Sequence, residues 1–113
     1  METLTIPQNK MEMSLSEIFD YADKNMKHAY WIYGSAKHNL CCANGAVAFI
    51  LSDGRTTNPY KLKSINPKLS ERYRELREAF AKKDWLGLTP NWYNDFGMYS
   101  FKKLAEKCRN MGL

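Results

Sequence analysis

Long apolar runs are missing from this sequence, and so are the features of an exported chain. No apolar stretch approaches the roughly 18–20 residues that a membrane-spanning helix needs, so we expect no membrane partner. Residues 1–13 lack the basic start and the apolar middle of a signal peptide. Both absences predict a cytoplasmic protein.

Cysteine is scarce, and the three cysteines are odd in number, which argues against a disulfide framework. Cys41 and Cys42 are adjacent, and a disulfide between neighbours would be strained, so free thiols are expected. His38 lies close to them in the chain. Zinc, however, needs four ligands at a recognisable spacing, so no metal and no other cofactor is predicted.

Motifs that mark common nucleic-acid and nucleotide binders are also missing: there is no helix-turn-helix, zinc finger or Gly-rich phosphate loop. What is present is the composition of one globular domain, with 113 residues, 44% hydrophobic, 26% charged and 13% aromatic. We expect residues 1–13 to be a loosely ordered arm, in which residues 4–6 could form a short strand. Residues 14–113 are expected to form a single helical domain.

Charge is distributed unevenly along the chain. Residues 1–60 carry five basic and six acidic side chains, whereas residues 61–113 carry twelve basic and six acidic ones. The basic half indicates an anionic partner, although a solvated lysine-rich helix would give the same count.

Periodicity and capping residues predict a mainly α fold, with about four helices around a central apolar helix. The predicted helices span about 14–28, 39–51, 66–84 and 100–111. Residues 28–39 are expected to form a turn or loop that ends in Asn39 as an N-cap. Residues 55–65 are expected to form a polar connector, with a short strand as an alternative. Residues 85–99 are expected to form an ordered aromatic loop.

Two stretches resemble a known family. Cys42-Ala43-Asn44-Gly45-Ala46 opens the apolar helix, and Asn94-Asp95 is followed after four residues by Ser100. With Trp31 and Gly34 upstream, the chain resembles small uncharacterised bacterial and phage proteins that carry Trp-x-x-Gly, Cys-x-x-Gly-Ala and Asn-Asp-x(4)-Thr-x-x-Glu-Val. The similarity covers about residues 14–51 and 91–111, and Lys103 stands where the family has Glu. The resemblance implies a fold rather than an activity. A phage origin would suit a protein that inhibits or sequesters a host factor.

The leading functional hypothesis is a small non-enzymatic binding protein. Aromatic rings with cations suit a nucleotide-like anion or an acidic face of a partner protein. The candidate ligand-binding residues are Tyr30, Trp31, Tyr33, Trp92, Asn94, Asp95, Lys102 and Lys103.

Two other classes remain open at this stage. One is nucleic-acid binding through the basic C-terminal half. The other is a cysteine-dependent hydrolase, in which Cys41 or Cys42 would act with His38 as base. A homo-oligomer also remains open.

One geometric prediction joins the two family-like motifs. The aromatic loop is too apolar to stay in water, and the first N–H groups of the apolar helix need acceptors. We therefore expect Trp92 and Asn94-Asp95 to pack beside the start of that helix, near Trp31. Asp95 is expected to supply the acceptor, either as a structural clasp or as part of a ligand site.

Overall fold

Helices make up most of the structure, a computed structural model that describes residues 6–29 and 33–113. Within these residues there are six α-helices, three short strands and three 3-10 turns. The helices are α1 (Leu15–Asn25), α2 (Ala43–Leu51), α3 (Leu62–Ile65), α4 (Pro67–Lys83), α5 (Pro90–Asp95) and α6 (Phe101–Asn110). The strands are β1 (Lys27–His28), β2 (Gly34–Ser35) and β3 (Leu40–Cys41). The mainly α fold class with a few short strands is confirmed.

Helix α1 begins where the sequence predicts. The Ser14 hydroxyl accepts a hydrogen bond from the Glu17 N–H, and the Glu17 carboxylate accepts one from the Ser14 N–H. This capping box satisfies N–H groups that the first turn leaves without partners. The apolar face of α1 packs along α6, where the ring of Phe19 stacks on Phe101 with centroids 6.5 Å apart.

Helix α2 lies in the centre of the molecule and is the most completely buried helix, as predicted. Every residue of α2 except Asn44 is buried. The predicted start at residue 39 is wrong, because Leu40 and Cys41 form strand β3 and the helix begins only at Ala43. Asn39 has a left-handed backbone with φ 51°, and Cys42 takes the N-cap position instead.

The three strands form a small sheet in the order β1-β3-β2. Strand β3 pairs in parallel with β1 and antiparallel with β2, so residues 28–39 are not simply the predicted loop. Gly34 makes the second pairing feasible: its φ is 100°, and a Cβ there would lie 1.8 Å from the Leu40 carbonyl oxygen. Only glycine accommodates both this conformation and this approach.

The connector before α4 is helical, and the alternative of a short strand is wrong. Asn58 accepts a hydrogen bond from the Tyr60 N–H at the start of the turn Pro59–Lys61, and α3 follows directly. Proline fixes a backbone angle that suits a first helical turn, which explains the outcome. Asn66 then caps α4 by accepting from the Lys68 N–H, as predicted.

Helix α5 occupies part of the segment predicted as a loop, so that prediction is wrong for Pro90–Asp95. The buried carboxylate of Asp84 positions this short helix. It accepts hydrogen bonds from the Tyr93 hydroxyl at 2.7 Å and the Leu88 N–H at 2.9 Å, and Lys107 lies 3.3 Å away. Burial acts to raise the pKa of Asp84, but these hydrogen bonds and Lys107 together hold it below its usual value. Asp84 therefore connects the end of α4 to α5 and α6.

The two ends of the described chain also contact the body. In the predicted arm, residues 10–12 form a 3-10 turn and Met13 is buried, whereas most of the strand left open at 4–6 falls outside the described residues. Ser100 caps α6 at the predicted start of this helix, and Gly112 follows the helix with a φ of 77°. No helix among the described residues is long and apolar enough to span a membrane.

Candidate functional site

Asn94 joins the two family-like motifs directly. Its side chain is fully buried, and its Oδ1 accepts a hydrogen bond of 2.9 Å from the Ala43 N–H in the first turn of α2. Its Nδ2 donates to the Tyr99 carbonyl at 2.7 Å. We call these contacts of Asn94, Ala43 and Tyr99 the Asn94 clasp. The predicted approach of residues 94–95 to the start of α2 is confirmed, but Asn94 makes this hydrogen bond, a role the prediction gave to Asp95.

Asp95 faces the sheet. Its Oδ1 lies 3.8 Å from Nε2 of His28 on β1, and its Oδ2 accepts a hydrogen bond of 2.9 Å from Asn91. Burial lowers the pKa of His28, and the nearby Asp95 carboxylate opposes this effect. Because Asn94 and Asp95 are both buried, they hold the fold together and do not face an incoming ligand.

The cysteine thiols are buried and are not accessible to a substrate. Cys42 is 1% exposed, and burial raises its pKa, although the N–H groups of Gly45 and Asn44 partly oppose this. A nucleophilic cysteine needs a lowered pKa and access to substrate. His38 is exposed and hydrogen-bonds with Ser35 at 3.0 Å. The arrangement therefore gives the hydrolase hypothesis no support.

Gly45, the glycine of the Cys-x-x-Gly-Ala stretch, allows a close approach of backbone. A Cβ at this position would lie 2.2 Å from the Tyr33 carbonyl oxygen and 3.2 Å from that of Thr57. The glycine thus has a packing role that needs no ligand. It also brings the Tyr33 segment against α2.

A groove at the start of α2 combines aromatic and cationic side chains. We call it the tyrosine–arginine groove; its volume is about 380 Å³. It is formed by the segment before β2, the first turn of α2, the turn Pro59–Lys61, α3 and α4. Its lining residues are Tyr33, Asn44, Pro59, Tyr60, Lys63, Ser70, Tyr73, Arg74 and Arg77.

The tyrosines of this groove differ in exposure. The Tyr60 side chain is 82% exposed, and the Tyr33 ring meets it edge-on with centroids 5.9 Å apart. Burial raises the pKa of Tyr73 to about 12, with Arg77 opposing. Burial likewise raises the pKa of Tyr33. At neutral pH both hydroxyls are therefore protonated and able to donate hydrogen bonds.

The cations of the groove are largely uncompensated. Among the described residues, Lys63 and Arg77 form no ion pair, and Arg74 makes only a 4.0 Å contact with Glu78 in which both side chains are mostly exposed. Exposed pairs of this kind contribute little, so Arg74 is readily available to a ligand. The groove therefore offers three cations beside an exposed aromatic ring.

Another recess of similar size, about 400 Å³, lies between the N-terminal segment, the end of α2 and the start of α4. It also has cations, Lys10, Arg55 and Lys68, of which Lys10 is paired with Asp53 across 3.4 Å. Among the described residues, however, no aromatic side chain lines it. We therefore regard the tyrosine–arginine groove as the candidate site.

The sequence-predicted site residues that the structure describes do not lie together on one surface. Tyr33 lies in the groove, whereas Tyr30 and Trp31 fall outside the described residues. Trp92 is 42% exposed and stacks on Phe96, with centroids 5.3 Å apart. Lys102 is exposed on α6, and the Lys103 ammonium lies 4.1 Å from the centre of the Tyr99 ring.

Sequence reasoning missed most of the groove. Ser70, Arg74 and Arg77 are spaced as one helical face, with Tyr73 beside them, and this was a usable signal. Their interleaved glutamates made the helix look like an ordinary solvated surface. Tyr60 and Lys63 belong to other elements, and only the tertiary fold brings them together.

Comparisons of the chain with protein-family models, with curated proteins and with solved structures find no match. The resemblance to small bacterial and phage proteins therefore stays a prediction from the motifs. The functional argument depends on the geometry of the groove.

Proposed function

We propose that this protein is a non-enzymatic binding protein whose tyrosine–arginine groove takes an anionic ligand with an aromatic ring, such as a nucleotide. The observation that carries the proposal is the exposed Tyr60 ring in the same groove as Lys63, Arg74 and Arg77. The ring provides a stacking surface for a base, and guanidinium groups bind phosphate through paired N–H donors.

The polar groups of the groove are suited to such a ligand. The protonated hydroxyls of Tyr33 and Tyr73 can donate hydrogen bonds, and Asn44 adds an amide at the first turn of α2. The buried thiols and the Asn94 clasp, by contrast, are engaged in the fold. The groove thus supplies binding groups and no activated nucleophile.

The test is calorimetric titration with adenosine monophosphate at low salt. We expect binding, and we expect Arg77→Ala to weaken it about 10–100-fold because a charge-assisted hydrogen bond contributes about 1.5–3 kcal/mol. Tyr60→Ala should weaken it to a similar extent through lost stacking, whereas Tyr60→Phe should bind nearly normally. Lys102→Ala removes one exposed positive charge from α6 and is the matched control.

Two results would refute the proposal. One is undetectable binding of adenosine monophosphate at millimolar concentration. The other is equal weakening by Lys102→Ala and Arg77→Ala, which would mean that general charge attraction, not the groove, holds the ligand.

A second candidate function, docking of an acidic protein surface, is favoured by one observation. Phe96 and Met98 are 58% and 65% exposed next to the stacked Trp92, and Lys102 and Lys103 follow within a few residues. Aromatic residues and methionine are enriched in protein interfaces, and the two neighbouring lysines suit an acidic partner surface. Capture of a partner that is lost in a Phe96→Ser variant, but kept in Arg77→Ala, would support this candidate over the groove.

A further inference from the structure

The tyrosine–arginine groove continues into a second recess along α4. This recess measures about 200 Å³ and is lined by Lys63, Pro67, Ser70, Glu71 and Arg74. Three of these residues, Lys63, Ser70 and Arg74, also line the groove. A ligand bound in the groove therefore has a continuous path along α4 toward the start of that helix.

The spacing along α4 suits a chain of phosphates. Ser70, Arg74 and Arg77 share one face of the helix. Seven residues of α-helix span about 10 Å. This face is long enough to contact more than one phosphate of a strand. Lys63 on α3 lines both the groove and the second recess, so it adds a third cation to Arg74 and Arg77.

The open character of the groove favours a polymer over a free nucleotide. Pockets for free small molecules usually enclose about 70–90% of the ligand surface. Here the Tyr60 side chain stays 82% exposed. Proteins that bind single strands use such exposed rings, on which any base can stack, together with a cationic path for the backbone.

We infer that the ligand of the groove is a single-stranded nucleic acid, an inference that rests on the proposed function and names its ligand class. One base stacks on Tyr60, and the backbone follows Arg77, Arg74 and Lys63 from the groove into the second recess. A duplex fits less well because its bases are already stacked on each other and cannot reach the ring.

Glu71 provides an internal test, since it lies only in the second recess. Its carboxylate repels a phosphate that extends there, but it does not face a mononucleotide held in the groove. Glu71→Gln should therefore tighten binding of a strand about 2–5-fold and leave binding of adenosine monophosphate unchanged. Glu106→Gln, on the exposed face of α6, is the matched control.

The experiment is fluorescence anisotropy with labelled hexaadenylate. The competitors are adenosine monophosphate, single-stranded 20-nucleotide oligoadenylate and the same strand in duplex with oligouridylate. We expect hexaadenylate to bind at least about 10-fold more tightly than the monophosphate. For three phosphate contacts the logarithm of affinity should fall with the logarithm of salt concentration at a slope of about −2. Arg74→Ala, at an exposed position, should make that slope shallower by about 0.7.

The other possible results separate failure of this inference from failure of the proposed function. If the monophosphate binds and hexaadenylate binds no more tightly, the inference is overturned and the proposed function stands. If the duplex competes as well as the single strand, or Glu71→Gln has no effect on the strand, the inference is also overturned. If neither ligand binds, both the inference and the proposed function fail.

Discussion

Replacing Asn94 with alanine tests how the fold holds the start of α2. The change removes a buried hydrogen bond from the Ala43 N–H at 2.9 Å and a part-buried one to the Tyr99 carbonyl at 2.7 Å. Loss of a helix cap destabilises a protein by about 0.5–2 kcal/mol, and each buried polar group left without a partner costs about 1–3 kcal/mol. Because these estimates overlap, we expect a total loss of about 2–4 kcal/mol in the free energy of unfolding.

Urea denaturation followed by circular dichroism measures this loss. In a separate thermal denaturation, the melting temperature of a domain of this size should fall by about 4 °C per kcal/mol of lost stability, or by about 8–16 °C in all. Asn110→Ala is the matched control, because Asn110 is exposed at the end of α6 and its replacement should change stability by less than about 0.5 kcal/mol. An Asn94→Ala variant whose stability lies within about 0.5 kcal/mol of that of the unmodified protein would refute the structural role of the clasp.

Three further predictions concern the residues around the clasp. Gly45→Ala should destabilise the protein by about 1–3 kcal/mol in urea denaturation, because the added methyl group meets the Tyr33 carbonyl oxygen, although helix propensity alone favours alanine by about 1 kcal/mol. The Cys42 thiol should react with a disulfide reagent far more slowly in the folded protein than in urea, because burial both shields it and raises its pKa. Stability should fall as pH is lowered below 6.5, since burial lowers the pKa of His28 in the fold despite Asp95 and the unfolded chain binds the proton more readily.

The pH prediction has its own control. The stabilisation by neutral His28 is fully present above 6.5, its ordinary pKa, and is lost as pH falls through its lower pKa in the fold. His28→Gln should flatten the curve in this range, whereas His38→Gln, at an exposed position, should not. If stability still falls steeply with pH in the His28→Gln variant, another group causes the effect and the prediction is wrong.

The other two predictions can also be contradicted. Equal or greater stability of Gly45→Ala would contradict the first, and fast modification of Cys42 in the folded protein would contradict the second.

Helix starts were predictable because capping is local. Ser14, Asn66 and Ser100 each accept hydrogen bonds from N–H groups two or three residues ahead, so the sequence alone contains both partners. The start of α2 was not predictable in this way, because Leu40 and Cys41 continue the apolar run of the helix. Only pairing with β1 and β2, which lie elsewhere in the chain, makes them a strand. Tertiary pairing thus overrode the local pattern.

The clasp was predictable in part. An apolar helix needs hydrogen-bond acceptors at its first turn, and the aromatic segment is too apolar to stay in water. These two facts together predicted that residues 94–95 lie beside the start of α2. Which of the two buried neighbours faces α2 depends on the helical phase of α5, and six residues that begin with Pro90 are too few to show a period. The acceptor was therefore assigned to Asp95 although Asn94 makes the bond.

The groove was the least predictable feature. Of the candidate residues that the structure describes, Tyr33 alone lines it, because the other tyrosines and the cations come from the turn at residues 59–61, from α3 and from α4. The spacing of Ser70, Arg74 and Arg77 marks one face of α4, but no single element shows that the turn at residues 59–61 and α3 converge on that face. The glutamates between the arginines of α4 also concealed the face that carries the cations.

The most direct test of the central claim is amide chemical-shift mapping with adenosine monophosphate. The account predicts that the shifts cluster at Tyr33, Asn44, residues 59–63 and residues 70–77, which surround the groove. Shifts confined to α6 around Lys102 and Lys103, or spread evenly over the surface, would contradict the claim that the tyrosine–arginine groove is the binding site.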